Sequence, residues 1–349
     1  MKICFVLPKF TRQPIGGYKI IFEYANRLVE NGEKVNILFI NDGALQRFKI
    51  PDFLKKIIIS FVTQIEPRWF NLDKRIKKVS NLDRNYLKEM EDLDVCFATG
   101  VQTVDEVKFK INSKKKLYFI QGYENWQVDK TYLHETYHYF TNIVVSTWLK
   151  EKVEPFSQGN VYLIKNPIDI KQYKCYIPQD GRKCHTIGLL YHKEKIKGLK
   201  YSLEAVKKVH DVYPDTLVYM FGMFPKPKDL PEWIHYTRGA SQSETIEIYN
   251  RVQVFLCGSI EEGYGLTGLE AMACGACLVS TNYSGVREYA INGYNSLLSP
   301  IKDSKALADN ILFLFENKSE RSRISNNGIK TVKEFSWESA LEKLNKLLY

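Results

Sequence analysis

The feature that most constrains this chain is an alternation, sustained along its length, of short unbroken apolar runs with helical periodicity. Ile3 to Leu7 is such a run, and continuity without polar alternation marks a parallel strand covered on both faces. After the loop Pro8 to Gly17, residues Ile20, Ile21, Tyr24, Ala25, Leu28 and Val29 recur at helical spacing. Gly32 supplies a C-terminal stop, and Val35 to Ile40 is the next strand. Similar units follow, with strands over 94–99, 116–121 and 143–146 and a helix over 104–111. A second series opens at His185, with strands over 186–190, 217–221, 234–236, 252–256, 277–280 and 296–298. Its helices include 199–212 and 241–249, the latter opened by the capping box Ser241-x-x-Glu244. Such alternation predicts an α/β fold of doubly wound parallel sheets. At 349 residues the chain exceeds one ordinary core and suits two domains. The turn-prone stretch from Asn166 to Gly181 separates them, and the boundary is set at 168/169. Two such domains facing each other bind ligand in the cleft between their carboxyl-end loops.

Composition removes several classes. A content of 44% hydrophobic and 26% charged residues excludes wholesale disorder. The strand-like run after Met1 is too short for a secretory signal, and no apolar run approaches the roughly 18 to 20 residues that span a bilayer. The expected location is the cytoplasm, or peripherally the cytoplasmic face of a membrane. The seven cysteines are odd in number and several lie in apolar strands, which suits reduced, buried thiols. Cys274 and Cys277 form one C-x-x-C without the second pair a zinc site needs. The net charge of +10 fits nucleic acid, an anionic membrane or phosphate-bearing substrates, and charge alone does not choose. A nucleic-acid motif or an aromatic-interleaved basic groove is missing. Basic residues crowd Lys55 to Lys78 and Lys193 to Lys200. Within the first, Phe53 to Val62 is strongly apolar and basic. It reads equally as a buried helix with snorkelling lysines or as an amphipathic helix that docks on an anionic membrane.

The chemistry concentrates in Glu261-Glu262-Gly263-Tyr264-Gly265-Leu266-Thr267-Gly268-Leu269-Glu270, which follows a strand and opens a helix near Leu266. A glycine-flanked loop at a helix start offers backbone N–H groups, and the helix dipole adds positive potential suited to phosphate. Two carboxylates there would repel phosphate, so they make sense if they accept hydrogen bonds from sugar hydroxyls.

Glu262, seven residues and Glu270, with Gly263-x-Gly265 between them and Ala271 to Gly275 after, resemble the E-x7-E signature of family-4 retaining glycosyltransferases. The resemblance extends to Gly16-Gly17 after the first strand, Asn166-Pro-Ile-Asp169, Lys197-Gly198, Ser284-Gly-x-Arg-Glu288 and Asn292-Gly293. Phe335-Ser-Trp337 resembles the start of that family's closing helix. The resemblance implies the GT-B fold of two Rossmann-like domains. The first would cover 1–168 plus a crossover helix over 336–349 and bind the acceptor, and the second would cover 169–335 and bind the donor. It further implies transfer of a hexose or deoxyhexose from a nucleoside-diphosphate sugar to a glycan or lipid-linked glycan, with retention and without a metal or other cofactor. Glu262 would contact the transferred sugar, the backbone of Tyr264 to Thr267 would meet sugar and phosphate oxygens, Glu270 would hold the ribose, and Lys197 the diphosphate. One departure is visible: where the family often has an arginine after the glycine of the first second-domain strand, Gly188 is followed by Leu189, Leu190, Tyr191 and His192. This leaves His192, Lys193 or Lys195 as substitutes.

In the first domain, Tyr123, Glu124 and Trp126 end a strand and are candidates to stack on and hydrogen-bond an acceptor or sugar, or to form a packed aromatic turn. His134 and His138 lack a third ligand, and Asp92-Leu-Asp94 is a loop feature beside a strand. An epimerase of the same fold and a catalytically idle scaffold remain as rivals.

Overall fold

Strands covered on both faces have no polar side to show, and the central strands of both sheets are of this kind. The computed structural model describes residues 1–349. Strands β1 (Lys2–Leu7), β2 (Lys34–Phe39), β3 (Lys77–Ser80), β4 (Leu93–Ala98), β5 (Ser113–Ile120), β6 (Thr141–Val144) and β7 (Val161–Leu163) form a sheet of order β3-β2-β1-β4-β5-β6-β7. Strands β8 (Thr186–Tyr191), β9 (Leu217–Gly222), β10 (Ile234–Arg238), β11 (Val254–Cys257), β12 (Cys277–Thr281) and β13 (Ser296–Ser299) form a second, of order β10-β9-β8-β11-β12-β13. Every strand pairing is parallel. These are the two Rossmann-like, doubly wound layers that the alternation predicts. Each has one place where the winding reverses, between β1 and β4 and between β8 and β11.

The chain divides into two compact units, Met1–Ile164 with Leu344–Tyr349, and Lys165–Lys343. The division falls slightly before 168/169 because the linker is tied into the second unit. Lys165 pairs with Glu288 at 3.0 Å, and the Ile168 N–H donates to the Phe335 carbonyl at 2.8 Å. The return to the first unit falls at 343/344, inside the helix Trp337–Leu348, not at its start.

Departures from the sequence reading have physical causes. Strand β3 lies in the basic stretch between the second and third expected strands; it is a sheet edge carrying Lys77 and Lys78, so it shows no apolar run. Two other expectations hold: the first helix ends at Glu30 with Gly32, at φ 92°, as its stop, and the capping box at Ser241 and Glu244 is present. Five cysteines are buried and unpaired; Cys175 is half-buried and Cys184 exposed. No helix is long and apolar enough to cross a membrane.

Candidate functional site

In the second unit, the loops after β8 and β11 leave the carboxyl ends of the two strands at the winding reversal, where open α/β sheets place ligands. The first loop makes a turn at Lys195–Lys197 and passes Gly198, at φ 59°, into the helix Leu199–Val212. The second runs through Gly258 to Gly265, at φ 88°, into the helix Leu266–Ala273.

Glycine at both crossing points lets the loops touch. A Cβ on Gly198 would lie 1.8 Å from the Gly258 carbonyl oxygen, and one on Gly258 would lie 2.4 Å from the Ser202 hydroxyl. The Ile260 N–H donates to the Ile196 carbonyl at 2.7 Å. So stitched, the loops set Lys197 Nζ 3.0 Å from Glu262 Oε2, with side chains 26% and 12% exposed. Ser259 donates its hydroxyl to the other Glu262 oxygen. Burial alone would depress the Lys197 ammonium, but the adjacent Glu262 carboxylate more than reverses this and holds its pKa above the ordinary value. Lys197 is therefore held as a charged cation, paired with Glu262.

The second loop is backed by tyrosines. A Cβ on Gly265 would lie 1.9 Å from the Tyr283 hydroxyl, and Tyr289 donates to the Gly265 carbonyl at 2.6 Å. The Tyr283 and Tyr289 hydroxyls lie 3.3 Å apart, and burial pushes both phenols well up. Gly285 presses on the backbone of Glu262 to Tyr264, where a Cβ would come within 2.6 Å of the Glu262 carbonyl oxygen. Tyr264 is buried with its ring 5.6 Å from Tyr289, so this residue offers its backbone rather than its side chain. Glu262, Gly263, Leu266, Thr267 and Glu270 are half-buried. Leu266 and Thr267 lie in the first turn, whose N–H groups precede the intrahelical ladder and carry the positive end of the dipole. One turn on, Glu270 accepts a hydrogen bond from the buried Tyr249 hydroxyl at 3.0 Å.

His192 is the first residue past β8. Its Nδ1 accepts the Glu194 N–H at 3.2 Å, which puts the proton of a neutral ring on Nε2, and burial lowers its pKa. It offers a hydrogen bond at neutral pH rather than a full charge. Lys193 lies 5.0 Å over the Phe224 ring. Gly188 sits inside β8, where a Cβ would come 3.1 Å from Phe255 and Val252, so it serves sheet packing and not ligand approach.

Gly16 and Gly17 belong to the first unit and open the helix Gly16–Glu30; Gln121 Nε2 donates to the Gly17 carbonyl at 3.1 Å. The three acceptor candidates there part company. Tyr123 shares a 2.7 Å hydrogen bond with His134, which stacks on Phe156 at 3.6 Å, while Trp126 is 61% exposed. Glu124 turns to the loop after β4 and accepts the Val101 N–H at 2.6 Å. Asp94 lies at the opposite end of the sheet, accepting the Lys2 N–H at 2.8 Å and pairing with Lys114 at 2.7 Å.

Burial pushes the Glu124 carboxyl up to about 7, against the pull of the Val101 N–H and Tyr118. A raised carboxyl adds stability that is complete below its unfolded value and is lost as pH rises through the folded one. The expected result is that the melting temperature of the native chain, relative to Glu124→Gln, falls between about pH 4.5 and pH 7 and then levels. A pH-independent difference between the two melting curves would contradict it.

Gly258, Ser259, Tyr249, Tyr283 and Tyr289 were not singled out in the sequence. Gly258 carries a signal, a glycine directly after an apolar strand; the tyrosines carry none.

Residues 186–331 match the family model of glycosyl transferases group 1. Over 107 residues the chain is 31% identical to an uncharacterised glycosyltransferase of Methanocaldococcus jannaschii, covering 31% of this chain and 30% of that protein. Over 106 residues it is 32% identical to the capsular polysaccharide biosynthesis glycosyltransferase CapM of Staphylococcus aureus, covering 30% of this chain and 28% of that one. These matched stretches span about a third of the length of those relatives. The structure of Alr3699/HepE from Anabaena in complex with UDP-glucose superposes with a TM-score of 0.77 at 16% identity, over 100% of this chain and 99% of that one. That likeness shows the fold, GT-B, and the family match falls on the unit that holds Lys197, Glu262 and Glu270.

Proposed function

We propose that this chain is a retaining glycosyltransferase that moves a hexose or deoxyhexose from a nucleoside-diphosphate sugar to a glycan or lipid-linked glycan. The observation that carries the reading is the 3.0 Å Lys197–Glu262 pair beside the amino end of the helix Leu266–Ala273, with Glu270 one turn along. The helix end and Lys197 suit a diphosphate, and the two carboxylates suit the hydroxyl-rich groups on either side of it. As the bond from the sugar C1 to the diphosphate oxygen breaks, negative charge grows on that oxygen, where Lys197 and the N–H groups of Leu266 and Thr267 stabilise it. The acceptor oxygen bonds to C1 on the same face and its proton passes to the departing phosphate oxygen. Glu262 orients the sugar and Glu270 the ribose; no metal or other cofactor enters. The UDP-glucose named with the Anabaena structure supports a uridine donor, and the capsular polysaccharide biosynthesis named for CapM supports a surface-glycan acceptor.

Melting the full chain with UDP, GDP and dTDP and their sugars tests the donor site. A ligand at about 100 times its Kd adds about 2.7 kcal/mol to stability. The expected result is a clear rise with one base only, lost in Glu270→Ala. The near-neutral His192 in place of a second full cation favours one rival, an idle binding protein; a nucleotide shift without transfer or donor hydrolysis would establish that rival instead. Interconversion of free nucleotide sugars would mark an epimerase.

A further inference from the structure

The helix Asp52–Ile65 is amphipathic the wrong way round. Its inward line is short: only Ile59 and Thr63 are buried. Polar groups fasten that side to the sheet edge. Asn41 donates to Thr63 at 3.2 Å, Gln64 donates to the Lys78 carbonyl at 2.7 Å, and Lys78 Nζ donates to the Glu66 carbonyl at 2.7 Å. The outward face should then be polar, and it is not. Phe53 is 64% exposed, Ile57 61% and Phe61 65%, with Leu54 and Ile58 beside them at 39% and 42%. At about 100° per residue these five fill an arc of roughly 140° centred opposite Ile59. Phe48, just before the helix, extends the patch at 60% exposure. A soluble chain seldom leaves a contiguous apolar face of this kind without an occupant.

Charge selects the occupant. From Arg47 to Lys78 there are nine basic and three acidic residues. The acids are already engaged: Asp52 by Lys55 at 3.0 Å, Asp73 by Arg75 at 2.7 Å, and Glu66 by Arg12 at 3.6 Å. Lys55 and Lys56 lie on either flank between the buried line and the apolar arc. An apolar face bordered by excess positive charge fits an anionic bilayer surface, with the helix lying along it and the lysines level with the headgroups. A second copy of this chain would bring like charge against like charge.

We propose that the face formed by Phe48, Phe53, Ile57 and Phe61 inserts into the interface of an anionic membrane. This does not depend on the transfer reaction.

The test is flotation of the full chain with phosphatidylcholine vesicles, with and without phosphatidylglycerol. The wild type is expected to float with the anionic vesicles only. Phe53→Gln/Ile57→Gln/Phe61→Gln is expected to lose at least tenfold in bound fraction while keeping its circular dichroism and melting temperature, because it changes only exposed positions. Lys55→Gln/Lys56→Gln is expected to bind more weakly and to lose salt sensitivity. Wild type left at the bottom of the gradient, equal flotation with neutral vesicles, or a triple variant that floats like wild type would each overturn the proposal. A doubled mass in solution that the triple variant abolishes would overturn it in favour of a second copy.

Discussion

Gly198→Ala is expected to destabilise the second unit by more than about 3 kcal/mol and to abolish nucleotide binding. Two costs combine. At φ 59° an alanine sits in the left-handed region, which costs about 1 kcal/mol or more by itself. Its Cβ would also fall 1.8 Å from a backbone carbonyl oxygen, that of Gly258, and no side-chain rotation relieves that contact. Either the turn at Lys195–Lys197 or the loop after β11 must withdraw, and the Lys197–Glu262 pair opens in both cases. Gly239→Ala separates the two costs, because Gly239 has φ 66° but no atom within 4 Å of its Cβ position. It should show the conformational cost alone, about 1 kcal/mol. Urea denaturation of both variants reads the difference as a shift in midpoint at constant slope. Equal, small losses would mean that the two loops tolerate separation and that the close approach of Gly198 and Gly258 is not needed to position the site.

Lys197→Met is expected to lower kcat for transfer by about 10²- to 10³-fold, the usual consequence of removing one group that faces charge developing in the transition state. The methionine keeps the length and apolar body of the side chain, so packing against the turn is largely retained, and the charge alone is lost. The split between constants is informative. If Lys197 acts on the departing diphosphate, kcat and kcat/KM fall together; if it only holds the diphosphate in the ground state, KM rises at unchanged kcat. Because Glu262 is only 12% exposed and would keep Ser259 as a partner, the variant should also melt below wild type without ligand, and Glu262→Gln added to it should recover part of that loss. A single variant with native kcat would remove Lys197 from the reaction.

Much of the fold is visible in the residues because parallel strands announce themselves. Ile3 to Leu7 and Val254 to Cys257 are apolar without interruption since both faces are covered. Lys77 to Ser80 escapes notice for the converse reason, an edge strand with charged flanks that borrows its strand state from pairing with β2. In the candidate site, Glu262 and Lys197 stand out because charged residues beside glycines at a strand-to-helix turn have few structural uses, and Glu270, inside the helix, stands out only through the E-x7-E resemblance. The tyrosines that brace the loop and its helix do not stand out: Tyr249, Tyr283 and Tyr289 lie 18 or more positions from the groups they brace, and only folding brings their hydroxyls there. Phe53 to Val62 shows the same limit in another form. Its periodicity announces two faces but not which turns inward, and the structure answers by burying Ile59 and Thr63. Tyr123, Glu124 and Trp126 are neighbours in the chain, yet they serve three different surroundings, because successive residues leaving a strand point in different directions.

The first unit draws Leu344–Tyr349 from beyond the second. Inside it, Lys115 Nζ donates to the Leu347 carbonyl, and the Tyr349 hydroxyl donates to Glu33. During synthesis the ribosome must therefore deliver every residue of the second unit before the first receives its last segment. The second unit can close as soon as residue 343 emerges, whereas the first, though begun earlier, waits unfinished on a strand of chain still being made.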